Sequence, residues 1–169
     1  MYEHKEWYTG SNHSVCFSKI KQITSQYVRN GGKVYIGSDS FISRNKVSFA
    51  STICLHGPSL SSRYFFFKES INLDHFINLC ARITEEAKRS VEIAEVLLQT
   101  TDLNTQNIEL HLDISSQDTN NGTSRFSEML TGYVLAYGLE CKIKPNAWAG
   151  QTIADKHSKW KNLNTYVII

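Results

Sequence analysis

Two aspartates close apolar runs in this chain: Asp39 follows Lys33-Val-Tyr-Ile-Gly-Ser, and Asp113 follows Ile108-Glu-Leu-His-Leu. A carboxylate so placed is poorly solvated. If the two runs are parallel neighbouring strands, the acids come side by side at the edge of the sheet where open α/β folds put their ligands. Carboxylates that close repel one another unless a cation lies between them, and oxygen donors at strand ends suit Mg²⁺, which keeps several of its waters. Either aspartate alone more often starts a turn or caps a loop. Together they point to metal chemistry, and Asp155 offers a further acid late in the chain.

Another ligand is expected from a long helical segment that carries Glu85, Glu86, Glu92 and Glu95. With Ile83, Ala87 and Ala94 facing the sheet, Glu85 and Glu92 point to solvent, whereas Glu86 flanks the apolar stripe beside Leu79, Ser90 and Leu97. Glu86 is the preferred helical ligand and Glu85 its alternative. The competing reading pairs all four with Arg82, Lys88 and Arg89 on an exposed face, where such pairs contribute little. His111, on the strand face of Asp113, could pack under the site, although a satisfied core histidine is the commoner outcome. His157, two residues past Asp155, points elsewhere on its helix and reads as a phosphate contact or a surface residue. With Lys156 and Lys159 it forms the expected substrate-binding set.

The elements that must position these residues follow from periodicity. Phe17, Ile20, Ile23 and Tyr27 predict an N-terminal helix from Phe17 to Arg29, stopped by Gly31 and Gly32. Strands are predicted from Lys33 to Asp39, Lys46 to His56 and Ser62 to Lys68, as an antiparallel meander. Asn72 can cap a helix running to about Gln99. A fourth strand is predicted from Asn107 to Ile114, a helix from Thr123 to Gly138, a short fifth strand from Cys141 to Lys144, and a last helix from Asn146 to about Trp160. The order predicts a single α/β domain on a five-stranded mixed sheet flanked by helices, with an extra N-terminal helix.

Composition limits the alternatives. A chain of 169 residues, 41% hydrophobic and 20% charged, fits one water-soluble domain, and no apolar run approaches the ~20 residues that span a bilayer. The N-terminus lacks a basic-then-apolar leader pattern, which predicts a cytoplasmic location. Cys16, Cys54, Cys80 and Cys141 are too scattered for a zinc site or a disulfide framework. The net charge of +2 does not by itself point to a polyanion, but Lys142, Lys144, Lys156, Lys159 and Lys161 crowd the C-terminal part, as a phosphate-tracking surface would require. A solvated lysine-rich face would look the same.

Three segments carry a resemblance: Val34-Tyr-Ile-Gly-Ser-Asp39-Ser, Ile108-Glu-Leu-His-Leu-Asp113-Ile, and Lys142-Ile-Lys-Pro-Asn-Ala-Trp-Ala-Gly-Gln-Thr-Ile-Ala-Asp155-Lys-His157-Ser-Lys159. They resemble the YkuK-type ribonuclease H-like family, the third most specifically. The resemblance covers roughly Lys33 to Lys159. It implies the ribonuclease H-like fold, a nuclease function, and Asp39, Asp113 and Asp155 as metal ligands; Glu86 rests on periodicity alone.

The expected chemistry is phosphodiester hydrolysis with two Mg²⁺ or Mn²⁺ ions held by Asp39, Glu86, Asp113 and Asp155, acting on nucleic acid. Trp148 or Tyr35 could stack a base, although a core role is commoner for both. The rival is a non-catalytic nucleic-acid-binding or protein-interaction domain on the same fold. An actin-like phosphotransferase ranks last, for want of a glycine-rich phosphate loop and a second domain.

Overall fold

A computed structural model describes residues 2–116 and 122–159. Its centre is one mixed sheet of seven strands in the order β2-β1-β5-β4-β3-β6-β7. The meander is present and longer than expected, as β3 (Lys33–Ser43), β4 (Lys46–Gly57) and β5 (Leu60–Asn72). β6 (Ile108–Leu112) runs parallel to β3, and β7 (Glu140–Lys142) runs parallel to β6. The expectation of five strands is corrected. β1 (Trp7–Thr9) and β2 (Ser14–Val15) add an N-terminal edge through antiparallel pairing of β1 with β5. Strands that short show too few alternations for a period to be read.

Helix α1 (Phe17–Arg29) has the expected bounds and buries Phe17, Ile20, Thr24 and Tyr27. α2 (Leu79–Thr100) begins later than expected. Asn72 leads instead into a short 3-10 turn, and Asn78 is the cap, its side chain accepting the Ala81 N–H at 2.9 Å. α3 (Ser127–Ala136) follows a 3-10 turn over Ser124–Phe126. The last helical stretch is a π-helical segment, Ala149–Ala154, that passes directly into α4 (Asp155–Lys159). The predicted end of that helix at Trp160, and the tail with Lys161, lie outside the described residues.

α1, α2 and α3 contribute to one apolar cluster with the sheet, in which Ile20, Val34, Ile36, Val91, Ala94, Leu97, Leu110 and Val134 are buried. Side chains alternate along β3, so Val34 and Ile36 face this cluster while Tyr35, Gly37 and Asp39 face the other side, where the π-helical segment lies. Gly37 is the closest approach: a Cβ there would stand 2.4 Å from the backbone nitrogen of Gly150 and 2.7 Å from its Cα. Gly150 in turn presses on β6, where its own Cβ would meet the His111 carbonyl oxygen at 2.7 Å. His111 secures the same segment by accepting the Ala149 N–H on Nδ1 at 3.0 Å. All four cysteines are free; only Cys54 is fully buried, and Cys16 is exposed. Among the described residues no helix is long and apolar enough to cross a membrane.

Because the neighbours of the Gly37 Cβ position are backbone atoms, they cannot rotate away. Gly37→Ala should lower the unfolding free energy by about 1–3 kcal/mol, the usual cost of overpacking. Gly132→Ala in α3, where a Cβ meets nothing within 4 Å, should be neutral or stabilising by up to about 1 kcal/mol. Urea unfolding of both variants measures the contrast, and equal effects would remove the close-contact explanation.

Candidate active site

The acids gather where β3 and β6 part. Pairing between these strands ends at Ser38↔Leu112, after which β3 continues alone with β4. Asp39 is thus the first residue of β3 beyond the parallel ladder, within a strand rather than at its end as expected. Asp113 follows directly on the last residue of β6.

Asp39 is buried, and its Oδ2 accepts the Ser158 hydroxyl at 2.7 Å. Ser158 stands three residues after Asp155 on α4 and also reaches the Asp155 carbonyl oxygen at 3.0 Å. Glu86 comes from the other face. Ser40 donates to Glu86 Oε1 at 2.6 Å, and Arg82, one turn earlier on α2, lies 3.4 Å from the same oxygen. Asp39 and Ser40 are adjacent on the strand and point to opposite faces, so the two buried acids flank β3 from its two sides. Glu85, the alternative helical acid, is half-buried and pairs with Arg89 at 2.9 Å.

The outer acids hold lysines. Lys144 Nζ lies 2.8 Å from Asp113 Oδ1, an ion pair without the geometry of a hydrogen bond, since that buried oxygen accepts none. Lys159 pairs with Asp155 one turn along α4. Lys156 and Lys159 are exposed. His157 is not: it is buried against β5, its ring stacked on Phe66 at 3.6 Å between centroids, with Nε2 3.3 Å from the Tyr64 hydroxyl. The substrate contact expected of it is replaced by a packing role. His111 is a buried histidine with both ring nitrogens partnered; because Nδ1 accepts from Ala149, the neutral ring carries its proton on Nε2, which faces Glu109 at 2.9 Å. Tyr35 and Trp148, 4.9 Å apart between ring centroids, are half-buried beside it.

Mutual repulsion shows in the proton affinities. Burial pushes the Asp39 carboxyl up to about 6; Asp113 and Asp155 add to the rise, while the Ser158 hydrogen bond opposes it. Glu86 is pushed up to about 8, first by burial and next by the charge of Asp39, with Asp113 adding and Ser40 and Arg82 opposing. The four acids share one electrostatic neighbourhood. They are not drawn into contact: among the described residues no three His, Cys, Asp or Glu side chains form a group that could hold a metal ion. The donor set still fits a hard divalent cation in kind, being all carboxylate oxygens, with one Asp113 oxygen buried and free of hydrogen bonds. Asp39, Glu86, Asp113 and Asp155 are the residues that would hold it.

Sequence reasoning missed Ser40 and Ser158; it placed Arg82 only on an exposed pairing face and Lys144 only in a lysine-rich surface, whereas they pair with Glu86 and Asp113. Ser158 had a legible signal, since it follows Asp155 at helical spacing. Lys144 follows from the parallel pairing His111↔Lys142, which carries the two chains on together until the Lys144 N–H reaches the Ile114 carbonyl at 3.0 Å.

A mixed α/β sheet flanked by helices, with acids converging on the point where two parallel strands separate, is the ribonuclease H-like arrangement. The chain matches the family model described as Ribonuclease H-like over residues 15–159, and it belongs to that family. Membership points to a nucleic-acid-related function. No curated protein and no solved structure shows a significant match.

The shifted acids make stability depend on pH. Between its ordinary value of 4.5 and about 8, Glu86 binds its proton more tightly in the folded chain, so stability falls as pH rises through that window. Asp39 acts in the same sense between 3.8 and about 6. His157, pushed down to about 4 by burial and by Lys156 and Lys68, acts in the opposite sense up to 6.5. From about 6.5 to about 8 the Glu86 contribution is no longer overlaid by those of Asp39 and His157. Glu86→Gln should flatten the fall in urea-unfolding free energy across it; an unchanged slope assigns the fall to another group.

Proposed function

We propose that the chain is a single-domain, divalent-metal-dependent nuclease that hydrolyses nucleic-acid phosphodiester bonds. The reading is carried by Asp39 and Glu86, two buried carboxylates whose proton affinities are raised by burial and by neighbouring acids, in a chain of this family. Such placement weakens the fold, and a cation would relieve it. When bound, a pair of Mg²⁺ or Mn²⁺ ions would supply an activated water and stabilise the leaving oxygen.

The chain's own residues have separable tasks. Asp39 is fixed by the β3–β4 ladder and oriented by Ser158, so it is the reference point of the site. Glu86 is oriented by Ser40 and Arg82. Lys156 and Lys159, exposed beside Asp155, would take flanking phosphates as point charges in this reading. A second reading, a nucleic-acid-binding domain without turnover, is favoured by one observation: each acid already has a protein partner and no three of them form a metal-holding group.

Cleavage separates the two readings. Purified protein is incubated with labelled single-stranded, double-stranded and RNA–DNA hybrid oligonucleotides in Mg²⁺, Mn²⁺ or chelator. The nuclease reading expects cleavage that chelation, Asp39→Asn and Glu86→Gln each reduce by at least about 100-fold, with Glu85→Gln nearly silent. Binding without cleavage on every substrate supports the second reading.

Mn²⁺ should also raise the melting temperature of the wild-type chain. The rise should shrink in Asp39→Asn and Asp113→Asn. An equal rise in those variants would place the ion elsewhere.

A further inference from the structure

We propose that Lys144 is a resident counter-ion of the acid site: its ammonium neutralises Asp113 in the metal-free chain and passes to a nucleic-acid phosphate when a divalent cation takes that oxygen. The inference deepens the metal-dependent reading above and rests on it.

Three observations carry it. Lys144 Nζ lies 2.8 Å from Asp113 Oδ1, an oxygen that is buried and accepts no hydrogen bond, so this ammonium is the cation that oxygen meets. The two side chains differ in exposure, 14% for Asp113 against 35% for Lys144, which puts the lysine on the solvent side of the pair. The Lys144 backbone is tied to Ile114 by its N–H, so the side chain can swing while its root stays in place.

The charge pattern gives the pair its purpose. Asp39 and Glu86 are buried and oriented by hydroxyls, and both feel the charge of Asp113. An ammonium on Asp113 softens that repulsion. A divalent charge arriving at the same oxygen would repel the ammonium at close range, and the released head would remain tethered at the mouth of the site. A strand brought to Asp113 would carry its phosphates near that head, and a lysine on a flexible stem can follow them. Lys159 is a weaker candidate for this exchange, because it forms an i,i+4 pair on an exposed helix face.

The test compares wild type, Lys144→Met and Lys144→Arg, each checked for an unaltered fold by circular dichroism. Mn²⁺ binding is measured by calorimetry. Binding to a duplex DNA oligonucleotide with a single-stranded tail is measured in Ca²⁺ across a salt series. Lys144→Met should bind Mn²⁺ more tightly, by about threefold, the scale of one partly exposed ion pair. Its slope of log affinity against log salt should be shallower by about 0.7–0.9, the loss of one phosphate contact. Lys144→Arg should match wild type in both. Mn²⁺ affinity in Lys144→Met that is equal to or weaker than wild type overturns the proposal, as does an unchanged salt slope. A wild-type chain that takes up no Mn²⁺ instead overturns the metal-dependent reading itself, so the two failures are distinct.

Discussion

The contact of Gly37 with Gly150 sets the distance between the sheet and the last helical stretch, and the acid site depends on that distance. With no side chain on either residue, the π-helical backbone lies against β3 and β6, and His111 fixes it there through the Ala149 N–H. α4 begins where that segment ends, so Asp155 and Ser158 reach β3 only because residues 149–154 sit so low on the sheet. Backbone-to-backbone packing of this kind tolerates little adjustment, since no rotamer can absorb an added methyl group.

The charges are arranged in two ranks. The inner acids, Asp39 and Glu86, are buried and oriented by serine hydroxyls, with Arg82 at the edge of the second. The outer acids, Asp113 and Asp155, are half-buried and hold lysine ammonium groups. Full ion pairing of the inner acids would have required more buried cations, each with its own desolvation cost. Hydroxyl donors orient a carboxyl group at lower cost.

The parts of this arrangement that were legible in the sequence are those governed by local period. The bounds of α1 and the presence of the long α2 and the central strands follow from apolar spacing, and so does the deeper burial of Glu86 than of Glu85, because Glu86 borders a stripe set by Ile83, Ala87 and Ala94. What escaped is what only tertiary packing decides. The strands β1 and β2 exist because β5 offers them an edge, not because three residues can show a pattern. Asn72 and Asn78 are both competent caps, and the intervening 3-10 turn selects the second. His157 carries the same polar label as an exposed histidine, yet its place on α4 turns it toward Phe66.

The parting of β3 from β6 makes the site mechanically unequal. Asp39 belongs to a long two-stranded ladder that runs on to Ser43↔Lys46, so its backbone is clamped on the β4 side well past the acid. Asp113 has left its ladder with β3, and just beyond it the Lys144 N–H reaches the Ile114 carbonyl at 3.0 Å. The site therefore resembles a vice with one fixed jaw and one adjustable jaw. A change in the spacing of the acids would come more readily from the Asp113 side, held by a loop, than from Asp39, held by the sheet.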